Sequence, residues 1–101
     1  MYNIVHQQGD PLTLINMLKK SYRLNPKYIN TRMYLGYLLM LYYAEDKENK
    51  EIEFAKKILL ETLKMKISTL EQDFTVGNLK LLCIVVQDYT LLNKLKQKYP
   101  E

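Results

Sequence analysis

Cysteine, histidine, glycine and proline are all scarce in this 101-residue chain, and tryptophan is missing. The single cysteine, Cys83, excludes an internal disulfide, and its apolar neighbours predict a small buried side chain in a reducing compartment. The single histidine, His6, has no partners at a suitable spacing for a metal site or a catalytic group. Three glycines and three prolines beside 48% apolar residues favour a packed helical fold over a disordered or turn-rich chain.

Long apolar runs are missing as well. The best candidate, residues 33–44, is about half the length that a transmembrane helix requires. No charged-then-apolar signal segment opens the chain. We therefore expect a cytoplasmic protein that does not contact a membrane. The chain has no glycine-rich phosphate loop, and we expect no cofactor and no catalysis.

Positive charge is in modest excess, with 15 Lys plus Arg against 11 Asp plus Glu and a formal net charge of +4. The basic residues are spread between the end of the first predicted helix and the chain terminus, where Lys94, Lys96 and Lys98 lie. Helix C-termini favour cations in any case. A solvated basic face is therefore favoured, and nucleic-acid binding is an outside alternative.

Turn and capping signals predict five helices, over residues 11–24, 28–43, 51–65, 69–86 and 89–99. Asp10 and Asp88 are good N-caps for the first and last helices. Asn25-Pro26 ends the first helix, because proline disfavours helical backbone in the residue before it. Ser68 and Glu71 have the spacing of a capping box, which starts the fourth helix at residue 69.

The apolar pattern predicts which side chains face inward. In the first helix these are Leu14, Ile15, Leu18 and Tyr22. In the third helix they are Ile52, Ala55, Ile58, Leu59, Thr62 and Leu63. The second helix is apolar almost all round, so it must be covered on more than one side.

Several positions resemble the signature of tetratricopeptide repeats. Leu35-Gly36, followed by Ala55 and Leu59, resembles the close helix contact of one repeat unit, and Val76-Gly77 is a weaker copy. The positions that resemble the second half of a preceding unit are Gly9-Asp10, Leu14, Leu18, Ser21 and Pro26. The chain departs from the signature at Arg32 and Leu39, where aromatic residues are usual.

The resemblance implies an all-α fold in which antiparallel helix pairs form a right-handed stack in a single domain. Residues 9–26 would be the second half of a first repeat, 28–65 a second repeat and 69–100 a degenerate third. It also implies a non-catalytic protein-interaction module, either an adaptor or a small chaperone. Such a module would bind an apolar or amphipathic peptide segment of a protein partner in a concave groove.

Mapping the repeat onto this sequence predicts the groove residues. They are Asn30, Met33, Tyr37, Met40 and Leu41 from the second helix, and Phe74, Asn78 and Leu81 from the fourth, with Glu71 and Leu82 beside them. Methionine adapts its shape to apolar ligands, and tyrosine adds a hydroxyl to a wide contact area. For Tyr37 and Met40, core packing and groove binding are equally compatible with the pattern.

A second class of function remains open. The first clear helix has no complete mate, so its apolar face would be covered by another copy of the chain in a homodimer. The protein would then be a self-associating structural subunit of a larger assembly.

Overall fold

The computed structural model describes residues 10–100, and these residues fold into five α-helices. The helices are α1 (Pro11–Leu24), α2 (Ile29–Tyr42), α3 (Lys50–Leu63), α4 (Thr69–Val86) and α5 (Tyr89–Lys98). The described range contains no strand, which confirms the all-α prediction. The bounds of α1 and α4 are those predicted, and the other three helices agree within two residues. The predictions for His6 and Gly9 lie outside the described residues.

Side chains start four of the helices by binding free backbone N–H groups of the first turn. Asp10, Asn49 and Asp88 each accept such a hydrogen bond, at the start of α1, α3 and α5. At α4 both halves of the predicted capping box form. Ser68 Oγ accepts from the Glu71 N–H at 3.1 Å, and Glu71 Oε1 accepts from the Ser68 N–H at 2.8 Å.

Each helix packs against the next along the chain, and α2 also packs against α4. The first core cluster has members from α1, α2, α3 and α4. They are Ile15, Leu35, Leu39, Met40, Ile52, Ala55, Ile58 and Leu82. The second joins α3, α4 and α5 through Leu59, Leu79, Cys83, Leu92 and Leu95. The burial of Cys83 is confirmed.

The inward face of α3 is confirmed, since five of its six predicted residues are buried and Leu63 is half-buried. On α1, Ile15 is buried and Leu18 and Tyr22 are half-buried. Leu14 is exposed, so its prediction as a packing residue is wrong. The reason is geometric, because among the described helices the α1 backbone packs closely only on α2, and Leu14 lies about 100° around the helix from the buried Ile15.

The tightest helix contact occurs where Gly36 of α2 meets Leu59 of α3. A Cβ atom at Gly36 would lie 2.6 Å from Leu59 Cγ and 2.7 Å from Leu59 Cδ2. Those distances are well inside van der Waals contact, and Leu59 is fully buried, so a Cβ at position 36 would force a shift within the packed interior. A residue with a Cβ atom would clash with Leu59, so position 36 favours glycine. Gly77 of α4 differs, since a Cβ there would meet no atom within 4 Å.

We predict opposite effects of the same substitution at these two glycines. Gly36→Ala should lower the free energy of unfolding by about 1–2 kcal/mol, because the overpacking cost exceeds the gain in helix propensity. Gly77→Ala should raise it by about 0.5–1 kcal/mol, because only the propensity changes. Urea unfolding followed by circular dichroism measures both. Equal effects of the two substitutions would contradict the packing described here.

A buried arginine ties together the first three helices. Arg32 of α2 is only 8% exposed. Its Nε donates to the carbonyl of Pro26, and its Nη1 lies 3.5 Å from the Ile58 carbonyl and 3.6 Å from Glu61 Oε1. The guanidinium also lies over the ring of Tyr22, 5.3 Å from its centroid. Arg32 thus satisfies its donors while bridging the end of α1 to α3.

An ion pair fixes the start of α5 to α3. Asp88 accepts a hydrogen bond from the Leu91 N–H at 3.2 Å, and its second oxygen lies 3.2 Å from Lys56 Nζ. The backbone hydrogen bond, and after it the contact with Lys56, holds the pKa of Asp88 below its usual value. Burial alone would lower the pKa of Lys56, but Asp88 and Glu53 outweigh burial and raise it.

This ion pair predicts a pH-dependent contribution to stability. Because the folded pKa of Asp88 lies below the ordinary value of 3.8, its carboxylate stabilises the fold above that pH. The contribution is lost as the pH falls through the lowered folded value. Asp88→Asn keeps the cap and loses the ion pair, so we expect a loss of about 0.5 kcal/mol at pH 7.

Urea midpoints of the natural chain and Asp88→Asn, measured between pH 7 and pH 2, check this expectation. The difference between the two proteins should vanish at the acid end. A constant difference across the range would show that Asp88 acts without its charge.

Candidate functional site

One face of α2 is apolar and reaches the surface. Tyr34 is 50% exposed, Leu41 and Asn30 are exposed, and Tyr37 is half-buried. Steps of four, three and four residues separate these positions, so they lie along one side of the helix. The only charged residue within α2 is the buried Arg32. This side of α2 is therefore an almost uncharged surface with tyrosine hydroxyls.

A matching face of α4 lies beside it. Leu70 is exposed, Leu81 is 44% exposed, and Phe74 and Asn78 are half-buried between them. The Asn78 side-chain amide donates to the Phe74 carbonyl at 2.8 Å, within the same helix. These residues also repeat at steps of three and four, which places them on one side of α4.

Three aromatic rings join the two faces. The Phe74 ring lies 5.7 Å from Tyr34 and 6.0 Å from Tyr37 between centroids, and both pairs are edge-to-face. Such pairs stabilise contacts beyond the area that they bury. We call the combined face the α2–α4 surface. It consists of Asn30, Tyr34, Tyr37, Leu41, Leu70, Phe74, Asn78 and Leu81.

The structure places two of the expected groove residues in the interior. Met33 is 6% exposed and Met40 is 1% exposed, and Met40 belongs to the first core cluster. The expectation that these side chains face a groove is therefore wrong. The cause is that α1, α3 and α4 cover α2 from several sides, and its uniform apolarity gave no sign of the side left open. Leu82, named beside the groove, is buried as well.

The other expected residues share the α2–α4 surface. Asn30, Tyr37, Leu41, Phe74, Asn78 and Leu81 are all at least partly exposed there. Glu71 lies near it, but its carboxylate is engaged in the capping box of α4.

Sequence reasoning missed Tyr34 and Leu70, although a signal was present. Tyr34 lies four residues after Asn30 and three before Tyr37, and Leu70 lies four residues before Phe74. These spacings put both residues on the faces that had been identified.

The described residues offer little for other chemistry. Between Asp10 and Pro100 no group of three or more His, Cys, Asp or Glu side chains is placed to hold a metal ion. Over the same range no helix is both long and apolar enough to cross a membrane.

Comparison with known proteins gives no relative from which a function would follow. No family model, no curated protein and no solved structure matches this chain.

Proposed function

We propose that this protein is a non-catalytic protein-interaction module, an adaptor or a small chaperone, whose α2–α4 surface binds an apolar or amphipathic peptide segment. The observation that carries the proposal is a group of three aromatic rings, in which Tyr34 is half exposed and Tyr37 and Phe74 are half-buried, with exposed leucines on both helices. Tyrosine is enriched in protein interfaces, where its ring supplies contact area and its hydroxyl bonds polar groups of the partner. An exposed face of this kind on two neighbouring helices is typical of interaction sites.

The packing order supports a tetratricopeptide-like stack as the framework. Each helix packs on its neighbour in the chain, and α2 additionally packs on α4, which is the next helix but one. In a stack of helix pairs, the first helix of each pair contacts the first helix of the next. The surface formed by α2 and α4 would then line the hollow side of the stack.

The spacing of the exposed residues favours a helical ligand. Leu41 follows Tyr34 by seven residues, and Leu81 follows Phe74 by seven residues. Seven residues are about two helical turns, or roughly 10 Å along each axis. A partner helix with apolar residues at i, i+3, i+4 and i+7 presents side chains over a comparable length. The low charge of the surface favours apolar anchors over salt bridges.

We predict that charges placed on this surface abolish partner binding without unfolding the chain. Tyr34→Glu with Leu81→Glu should reduce recovery of the partner at least about tenfold, because a buried unpaired carboxylate is costly at an interface. The measurement is affinity capture from the source cells, with helical content checked by circular dichroism.

A matched control uses exposed residues elsewhere. Tyr89→Glu with Leu24→Glu changes the same residue types at positions that are 54% and 78% exposed. This variant should retain its partner. Full recovery by the surface variant, or an equal loss in the control, would contradict the proposed site.

Self-association, with the apolar face of α1 covered by a second copy of the chain, is the competing function, and Leu12, Leu14 and Met17 of α1 are exposed. Light scattering over a range of concentrations should give the monomer mass of 12.1 kDa. A dimer that persists on dilution and is retained by the Tyr34→Glu, Leu81→Glu variant would favour association through α1, whereas a dimer that this variant dissociates would assign the α2–α4 surface to a second copy of the chain.

A further inference from the structure

A second surface lies between α3 and α5 and shares no residue with the first. Within the described range, α3 and α5 meet through side chains of the second core cluster and through the Lys56–Asp88 ion pair, while their backbones stay apart and both helices pack on α4. The gap between them is an open groove. Its floor includes Leu60, Leu63 and Leu95, and its rim carries Lys64, Lys94 and Lys98. We call it the α3–α5 groove.

The floor of the groove is the outer side of the second core cluster. Leu95 is a buried member of that cluster, and Leu60 and Leu63 are half-buried against it. The groove has a volume of about 170 Å³. This is smaller than the roughly 300–1,000 Å³ of typical cofactor and small-molecule pockets. It fits the apolar side chains of a polypeptide that lies across α3 and α5.

The three lysines of the rim are all exposed. Among residues 10–100, none of them has a carboxylate within 4.0 Å, whereas Lys19 and Lys56 pair with Glu51 and Asp88. Lys94 contributes to the lowered pKa of Asp88, but Asp88 is already engaged by Lys56. The rim therefore carries positive charge that the described structure leaves unneutralised.

Helix dipoles explain only part of this arrangement. Lys64 caps the end of α3 and Lys98 ends α5, where the negative end of the helix favours a cation. Lys94 lies in the middle of α5, where that explanation does not apply. All three lysines surround one apolar floor, although they come from segments about 30 residues apart in the sequence.

The geometry points to the α3–α5 groove as a docking site for an acidic amphipathic helical segment of a protein. Leucine or methionine side chains of the segment would contact Leu60, Leu63 and Leu95, and its Glu or Asp residues would pair with the three lysines. The positive rim attracts acidic flanks and repels basic ones, and the floor contributes apolar burial.

Nucleic acid fits the groove less well. The rim has no arginine, the residue best suited to bidentate phosphate contacts. The neighbouring ring of Tyr99 is half-buried and has Lys98 Nζ 5.7 Å from its centroid, so it is not an open platform for base stacking. An apolar floor would be left unused beneath a sugar–phosphate backbone.

The test is a display selection on the purified full-length chain. The library holds helical peptides with leucine at i, i+3, i+4 and i+7, and with Glu, Lys or Gln in equal amounts at the flanking positions. We expect Glu to be enriched over Lys by about tenfold, and the selected peptides to bind more weakly as salt rises. No enrichment of Glu would overturn the assignment.

Matched charge-reversal variants locate the binding. Lys64→Glu, Lys94→Glu and Lys98→Glu together should weaken the selected acidic peptides by about tenfold or more in fluorescence anisotropy. The triple variant of Lys20, Lys27 and Lys47 to Glu makes the same charge change at exposed sites elsewhere, and should have little effect. Equal losses in both variants would overturn the assignment by showing general charge attraction.

Two further measurements complete the test. Circular dichroism of both variants should match the natural chain, since every substituted lysine is exposed. A fluorescent oligothymidine of about 20 nucleotides provides the nucleic-acid arm. Suppose that the oligothymidine binds more tightly than the acidic peptides, and that the Lys64→Glu, Lys94→Glu, Lys98→Glu variant abolishes its binding. The groove is then a nucleic-acid site, and the peptide assignment is wrong.

Discussion

The close approach of α2 to α3 at Gly36 and Leu59 is the constraint on which the α2–α4 surface depends. It fixes which side of α2 faces α3. Successive helical residues are about 100° apart, so Tyr34, two positions before Gly36, points to nearly the opposite side of α2. There it meets Phe74 of α4 and remains half exposed. A single missing side chain thus orients the aromatic face outward.

Charge is divided between structural and surface roles. Arg32 bridges three helices from a buried position, and Lys56 with Asp88 fixes α5 to α3. Because these interactions use the interior charges, the α2–α4 surface is left nearly neutral, and unpaired lysines collect at the α3–α5 groove. The two surfaces therefore differ in charge, since the first is nearly neutral and the second has exposed lysines around an apolar floor. In the proposed function, a partner that contacts both surfaces would bind more tightly than one that contacts either alone, because the first contact raises the effective concentration at the second.

Local sequence signals determined the helices and much of the core. The capping box of Ser68 and Glu71 set the start of α4, and Asp10 and Asn25-Pro26 set the bounds of α1. These predictions succeeded because caps and prolines act within one or two turns of the chain. The inward face of α3 also followed, because polar residues interrupt the pattern there and mark the outer side, and the burial of Cys83 followed from its apolar neighbours. Phe74, Asn78 and Leu81 of α4, which lie on the α2–α4 surface, were named from the resemblance at Val76-Gly77 rather than from this periodicity.

Tertiary structure decided which apolar side chains are buried, because the local sequence pattern did not distinguish them. Met33 and Met40 are buried and Tyr34 is exposed, although the apolar sequence of α2 treats all three alike. Gly36 and Gly77 have similar sequence neighbours, yet only Gly36 meets another helix. The sequence by itself determined the bounds of the five helices to within two residues, because capping and turn interactions are local. Only the packing of helices distant in the chain decided which apolar side chains remain at the surface, since burial depends on which helix covers each side.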